Sequence, residues 1–160
     1  MLEEQRLDAS VHDRFGFSCG EPALDDYLRK YAAQQSAKGL SAVFVVVDDA
    51  QPRQILGFYT LSAAQVDAAL LSDAEQKKLP RYPVPCFRMG RLASSLTHQG
   101  TGIGALLVGL AVDRCLKARA QVGAYALLVD AKTEKAKAFY VHYGFTACTD
   151  SPMTLYLPLG

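Results

Sequence analysis

The stretch Gln99-Gly100-Thr101-Gly102-Ile103-Gly104 decides how this chain is read. It follows Cys86–Ser95, a run of strand length and character. It opens Ile103–Ala118, in which Ile103, Leu106, Leu107, Leu110 and Ala111 recur at helical spacing. A strand, a glycine loop and a helix in that order have a physical consequence. The first amides of the helix lack intrahelical acceptors, and the helix dipole favours an anion in front of them. Glycines let the backbone approach a phosphate and adopt positive φ. Two readings of the loop stand at this level: a tight strand-to-helix turn, or a cradle for a pyrophosphate. The glycine spacing is neither the G-x-G-x-x-G of a dinucleotide fold nor a P-loop, which would end in Gly-Lys-Ser/Thr.

Working outward, Glu21–Lys38 reads as one helix, with Pro22 in its first turn and Gly39 beyond its C-cap. Leu24, Tyr27, Leu28, Tyr31 and Ala32 form the stripe predicted to be buried, and Asp25, Asp26, Arg29 and Lys30 the polar face. Ser41–Asp48 and Gln54–Val66 read as a hairpin of strands. Ser72-Asp73-Ala74-Glu75 has capping-box form and opens a short helix, which Pro80, Pro83 and Pro85 end. After the long helix come a strand at Tyr125–Asp130, a helix at Thr133–Tyr143 and a last strand at Met153–Leu157. Thr133 is the candidate N-cap of that helix and Gly144 its C′ residue. Strands first, then strand and helix in alternation, predict an α+β class with a mixed sheet.

The chain has 160 residues, half of them hydrophobic, which suits a single domain over 1–160. The formal net charge is +1, so no global field points to nucleic acid, and only a local basic patch remains open. Lys77, Lys78, Arg81 and Arg88 form one such cluster, and Arg29, Lys30 and Lys38 another; each is either a phosphate contact or a solvated face. The four cysteines form no C-x-x-C pair, and His12, His98 and His142 show no metal-ligand spacing. The cysteines are therefore expected as small buried hydrophobes in a reducing compartment, with no metal site. No leader is visible, and no apolar stretch reaches the roughly 20 residues needed to span a bilayer. The expectation is a cytoplasmic protein.

Two motifs narrow the reading. Q-x-x-G-x-G at Gln99–Gly104, preceded by Gly90-Arg91-Leu92-Ala93 and followed by Leu106-Leu107, resembles the acetyl-coenzyme A signature of GNAT acetyltransferases. Ala136-Lys137-Ala138-Phe139-Tyr140 followed by Gly144-Phe145 resembles the A-x-x-x-Y-x-x-x-G-F ending of the same family. Phe17-Ser18-Cys19-Gly20-Glu21-Pro22, Gly57-Phe58-Tyr59-Thr60-Leu61 and Gln76-Lys77-Lys78-Leu79-Pro80 are similar to the GNAT toxins of bacterial toxin–antitoxin pairs. The resemblance implies a GNAT fold and acetyl-coenzyme A held by Leu92, Ala93, Gln99, Gly100, Thr101, Gly102, Ile103, Gly104 and Thr133. It implies Tyr140 as general acid and the α-amine of aminoacyl-tRNA as acceptor, so that translation is blocked. It further implies a ribbon-helix-helix antitoxin and a homodimer. Tyr140 without the resemblance reads first as an aromatic core residue, and Arg91 as a nucleic-acid or acceptor contact or a surface ion pair.

Two residues depart from the family pattern: Ser94-Ser95 follow Arg-Leu-Ala, and Thr133 stands where asparagine is frequent. Both bear on cofactor affinity. Acceptor chemistry agrees with the resemblance, because a free α-amine titrates near 7.7–8.0 and a lysine amine near 10.4, so only the former keeps a useful neutral fraction at about pH 7 without a strong base. The alternatives are a GNAT enzyme acting on a small amine or protein N-terminus, and a non-catalytic acyl-CoA-binding regulator.

Overall fold

The computed structural model describes residues 1–160. Seven strands form one mixed sheet in the order β1-β2-β3-β4-β5-β7-β6. They are β1 (Leu2–Arg6), β2 (Ala42–Asp48), β3 (Gly57–Val66), β4 (Val84–Ser94), β5 (Ala126–Asp130), β6 (Thr146–Cys148) and β7 (Ser151–Pro158). The helices are α1 (Pro22–Lys30), α2 (Ala32–Ala37), α3 (Asp73–Gln76), α4 (Ile103–Ala118) and α5 (Glu134–His142). β4 and β5 pair in parallel, which α4 makes possible as the crossover between them. The pairs β1–β2, β2–β3, β5–β7 and β6–β7 are antiparallel. This is the α+β architecture with a mixed sheet that the element order predicts.

The chain divides into two compact units, residues 1–62 with 90–111 and residues 63–89 with 112–160, so that β3, β4 and α4 each contribute to both. In the first unit the core gathers Phe17, Tyr27, Leu28, Ala32, Val43, Val45, Phe58 and Ala93. β2 is buried at five successive positions, Val43–Val47, as its unbroken Val and Phe run requires of a strand covered on both faces. In the second unit Val66, Leu71, Val84, Cys86, Ala126, Leu128, Cys148 and Tyr156 form the core. All four cysteines are free and buried. No helix is long and apolar enough to cross a membrane.

Three sequence expectations are corrected. The helix at Glu21–Lys38 is two helices, α1 and α2, parted at Tyr31, whose φ of −123° and ψ of −30° leave the helical region. No proline or glycine breaks it there. Ala32 is buried as expected, but Tyr31 at the break is 51% exposed, against its expected burial. Asp25, expected on the solvent face, is 7% exposed, and its carboxylate accepts the Cys19 amide at 2.9 Å and the Ser18 hydroxyl at 3.4 Å. A buried carboxylate needs such donors. The third correction concerns strands. β1 and β6 were invisible in the pattern, because both are edge strands whose stability comes from the backbone ladder of one neighbour. In β1, Leu2-Glu3-Glu4-Gln5-Arg6 has no apolar alternation, and the Tyr59 hydroxyl donates to the Glu4 carboxylate. The short helix at Ser72 forms as predicted, with the Ser72 hydroxyl accepting the Glu75 amide at 3.3 Å.

Candidate acetyl-coenzyme A and acyl-transfer site

The glycine loop is built by the first unit. Gly57 opens β3 where no side chain fits: a Cβ there would lie 2.9 Å from both Ile103 Cγ2 and Leu107 Cδ1, and 3.0 Å from the Ala93 carbonyl. Its bareness lets the first turn of α4 close against the end of β4. Ser95 continues from β4 by donating its amide to the Leu56 carbonyl at 2.8 Å. The Gln99 side-chain nitrogen donates to the carbonyls of Cys19 at 3.0 Å and Ser94 at 3.3 Å, so that side chain clamps the loop to the protein. Thr101 turns back through its amide and hydroxyl, both donating to the His98 carbonyl.

Gly100 and Gly102 have φ of +81° and +89°, a region where a side chain is strained. A Cβ at either would meet no protein atom within 4 Å, so the backbone there is bare to an approaching group. α4 then starts at Ile103, and its first helical backbone bond runs from the Leu106 amide to the Gly102 carbonyl. The amides of Ile103, Gly104 and Ala105 precede that bond and have no acceptor within the helix. A sixteen-residue helix whose first amides stand behind a bare glycine turn fits a pyrophosphate. Leu92 and Ala93 lie in the last third of β4, Ala93 buried.

Arg91 adjoins this strand end. Its amide donates to Thr60 Oγ1 at 3.1 Å, and its guanidinium lies 3.7 Å from the centre of the Tyr27 ring. Neither contact was legible in the sequence. Arg91 is therefore held by an aromatic face.

The second unit holds Tyr140 in α5. Thr133 caps the helix, accepting the Ala136 amide at 3.0 Å, and Gly144 follows it at a φ of +96°, both as predicted. Tyr140 is 8% exposed, with the rings of Phe139 and Phe145 edge-on at 5.4 Å each. Burial chiefly, and the Asp130 carboxylate secondarily, push its hydroxyl up to about 12. Tyr140 thus stays protonated through the physiological range. Asp130, which the sequence reading passed over, is also the acceptor for Arg88 and for the Thr154 hydroxyl at 2.9 Å. That corrects the reading of Arg88 as part of a surface basic cluster. Arg88 sits on β4 paired with Leu128 of β5, and Asp130 lies two residues further along β5 on the same face. Lys77, Lys78 and Arg81 remain exposed. His12 is buried, its Nδ1 accepting the Asp8 amide at 3.0 Å and its Nε2 facing Gln5 Oε1 at 2.9 Å.

Comparison with known proteins decides the family. The acetyltransferase (GNAT) domain matches residues 27–154. The chain belongs to the GNAT acetyltransferase family. Among relatives of this GNAT chain, a tRNA-acetylating toxin of Mycobacterium tuberculosis (strain ATCC 25618 / H37Rv) is 39% identical over 95% of the chain and 89% of its own length. A solved structure of AtaT complexed with acetyl-methionyl-tRNAfMet superposes with a TM-score of 0.93 at 32% identity, covering 99% of this chain and 95% of that one. A tyrosine-to-phenylalanine mutant of AtaT, bound to the C-terminus of the antitoxin AtaR and to acetyl-CoA, gives a TM-score of 0.84 at 29% identity, covering 99% and 93%. The seven-stranded mixed sheet is thus the GNAT fold.

Proposed function

We propose that this GNAT chain is a toxin that moves acetyl from acetyl-coenzyme A to the α-amine of aminoacyl-tRNA and so blocks translation. The observation that carries the reading is its 39% identity, over 95% of the chain, to a tRNA-acetylating toxin. The likeness to AtaT with an acetylated methionyl-tRNA supports the same acceptor.

In this reading one domain over 1–160 carries the reaction. Acetyl-coenzyme A supplies the thioester acyl group. The amides at Gly102, Ile103 and Gly104 bind its pyrophosphate, with Gln99, Gly100 and Thr101 shaping the loop. Leu92 and Ala93 line its arm, and a main-chain amide near Ala93 polarises the thioester carbonyl. Thr133 takes part beside α5, and Arg91 faces the acceptor. The α-amine attacks the carbonyl carbon, the carbon–sulfur bond breaks, and sulfur takes a proton from Tyr140.

Burial keeps the Tyr140 hydroxyl protonated, so it is available to the departing sulfur as general acid. The proton that the attacking amine sheds restores the hydroxyl, so the transfer balances. Lys77, Lys78 and Arg81 supply phosphate contacts to the tRNA. The toxin acts in the cytoplasm as a homodimer and is neutralised by a ribbon-helix-helix antitoxin.

The test is to incubate the protein with radiolabelled acetyl-coenzyme A and total charged tRNA. Label should appear in the aminoacyl fraction and leave the RNA on mild alkaline hydrolysis, as N-acetyl amino acid. Label that ignores charged tRNA and enters a small amine or a protein N-terminus would replace this reading with the GNAT alternative.

A further inference from the structure

The segment at residues 13–18 presents an aromatic ring to solvent from a hydrogen-bonded turn. Phe15 is 69% exposed. Its backbone is nonetheless tied. Asp13 Oδ1 accepts the amides of Phe15 and Gly16, each at 3.1 Å, and the Asp13 amide donates to the Arg53 carbonyl at 2.8 Å. Gly16 is demanded by this turn, since a Cβ there would lie 2.6 Å from Asp13 Oδ2. The Arg14 guanidinium lies over the Phe15 ring, 5.4 Å from its centre, and donates to the Arg29 carbonyl at 3.2 Å. Arg29 in turn donates to the Phe17 carbonyl at 3.0 Å. The guanidinium is thereby anchored to the end of α1. A cleft of about 360 Å³ opens beside this turn, lined by Asp13, Phe17, Ser18, Arg53, Ser95 and Thr97 among others, and not by the Phe15 or Arg14 side chains. Phe15 lies in the chain between two lining residues, Asp13 and Gly16.

These groups select a ligand chemistry. An exposed aromatic ring beside a planar cation is the surface on which unpaired bases stack. An apolar protein partner fits poorly, because docking would strip water from Arg14, Arg53 and Asp13 without supplying counter-charges. The cleft carries both the Asp13 carboxylate and Arg53, so it is no dedicated phosphate site. The exocyclic amine of cytosine, adenine or guanine is a donor that a carboxylate oxygen accepts, and Oδ1 is already committed to two amides while Oδ2 faces outward over Gly16. The Ser18 hydroxyl proton goes to Asp25 and the Ser95 and Thr97 hydroxyls bond each other at 3.0 Å, so what they offer a base or ribose edge is acceptor lone pairs. The cleft is at the small end of ligand pockets, the size of one nucleoside.

We propose that Phe15, Arg14 and this cleft form a binding site for unpaired nucleotides of the acceptor RNA. One base stacks on Phe15, Arg14 meets the adjoining phosphate, and the amine edge of the neighbouring base donates to Asp13. The inference rests on charged tRNA being the acceptor, since a tRNA offers its 3′ end as a single strand.

The test uses the full-length protein and fluorescein-labelled single-stranded RNA octamers at low salt, read by anisotropy. Octamers of cytidine and adenosine should bind more tightly than uridine octamers, which carry no exocyclic amine. Phe15→Ala should weaken the cytidine octamer by about 5–150-fold, the range expected for losing one base stack. Phe15→Trp should preserve binding, and Phe15→Leu should behave like the alanine variant, because it keeps apolarity and loses the π-face. Calorimetric acetyl-coenzyme A binding should be unchanged in all three, which reports an intact fold. No binding of any octamer, equal binding of uridine, or a leucine variant that binds like wild type would overturn the site. Labelled transfer separates this from the acceptor itself. Wild-type labelling of charged tRNA with an unaltered Michaelis constant in Phe15→Ala removes the site and leaves the acceptor. Octamer binding that depends on Phe15, without any labelling of charged tRNA, removes the acceptor and leaves the site.

Discussion

Burial sets the behaviour of the residues that titrate in this protein. Tyr140 is pushed up to about 12, and the Cys115 thiol likewise to about 12 despite the pull of Arg114. Both stay neutral in the folded state at pH values where the unfolded chain, with values of 10.0 and 9.0, has begun to ionise. The unfolded state then holds fewer protons than the native one, so stability falls as pH rises. Urea midpoints should decline steadily between about pH 9 and about pH 12, and a flat midpoint across that range would contradict the burial of these groups. The same tyrosine carries the catalytic prediction. Tyr140→Phe removes one oxygen from a ring packed edge-on against Phe139 and Phe145, so the fold and acetyl-coenzyme A affinity should persist. Single-turnover transfer should fall by about 10²–10⁴-fold, as expected for loss of proton transfer. Undiminished transfer would return Tyr140 to a purely structural place.

At the scale of elements, the junction of β4 with α4 concentrates the binding chemistry. Its two kinds of glycine respond differently to substitution. Gly102 sits at a φ of +89°, so any side chain there strains the turn itself. Gly104 lies inside the first turn of α4, where helical φ suits every residue and only the bulk of the new side chain counts. Gly104→Val should therefore leave the fold standing and abolish acetyl-coenzyme A binding. Circular dichroism establishes the first point and calorimetry the second, and wild-type affinity in a folded variant would remove the loop from the binding site.

At the scale of the whole molecule, a net charge of +1 gives no general attraction for RNA, so affinity must come from local groups. Arg88 is ion-paired with Asp130, while Lys77, Lys78 and Arg81 are exposed on the second unit. Reversing Lys77 and Lys78 to Glu should raise the Michaelis constant for charged tRNA and flatten its salt dependence, because each lost phosphate contact removes a released counterion. Acetyl-coenzyme A binding should not move. If the double variant keeps the wild-type salt slope, the tRNA is held elsewhere. In cells, expression without an antitoxin should arrest growth, and Tyr140→Phe should relieve the arrest.

The sequence by itself determined the features that depend on neighbours in the chain. The bounds of α4, the Ser72 and Thr133 caps, the Gly144 stop and the bare turn at Gly100–Gly102 all follow from local backbone preference and helical period, which a linear pattern records. The Q-x-x-G-x-G stretch marked the proposed pyrophosphate cradle for the same reason: its amides and glycines are consecutive. Tertiary structure alone decided what depends on residues far apart. It broke the helix at Tyr31, with Ala32 in the core beside Val43, Val45 and Phe58 and Tyr31 turned outward. It buried Asp25 under the Cys19 amide, paired Arg88 with Asp130, laid Arg91 on Tyr27 and required Gly57 to be bare beneath Ile103 and Leu107. Each of these is a contact across the fold, set by burial and by the close approach of backbones, and no periodicity along the chain encodes it.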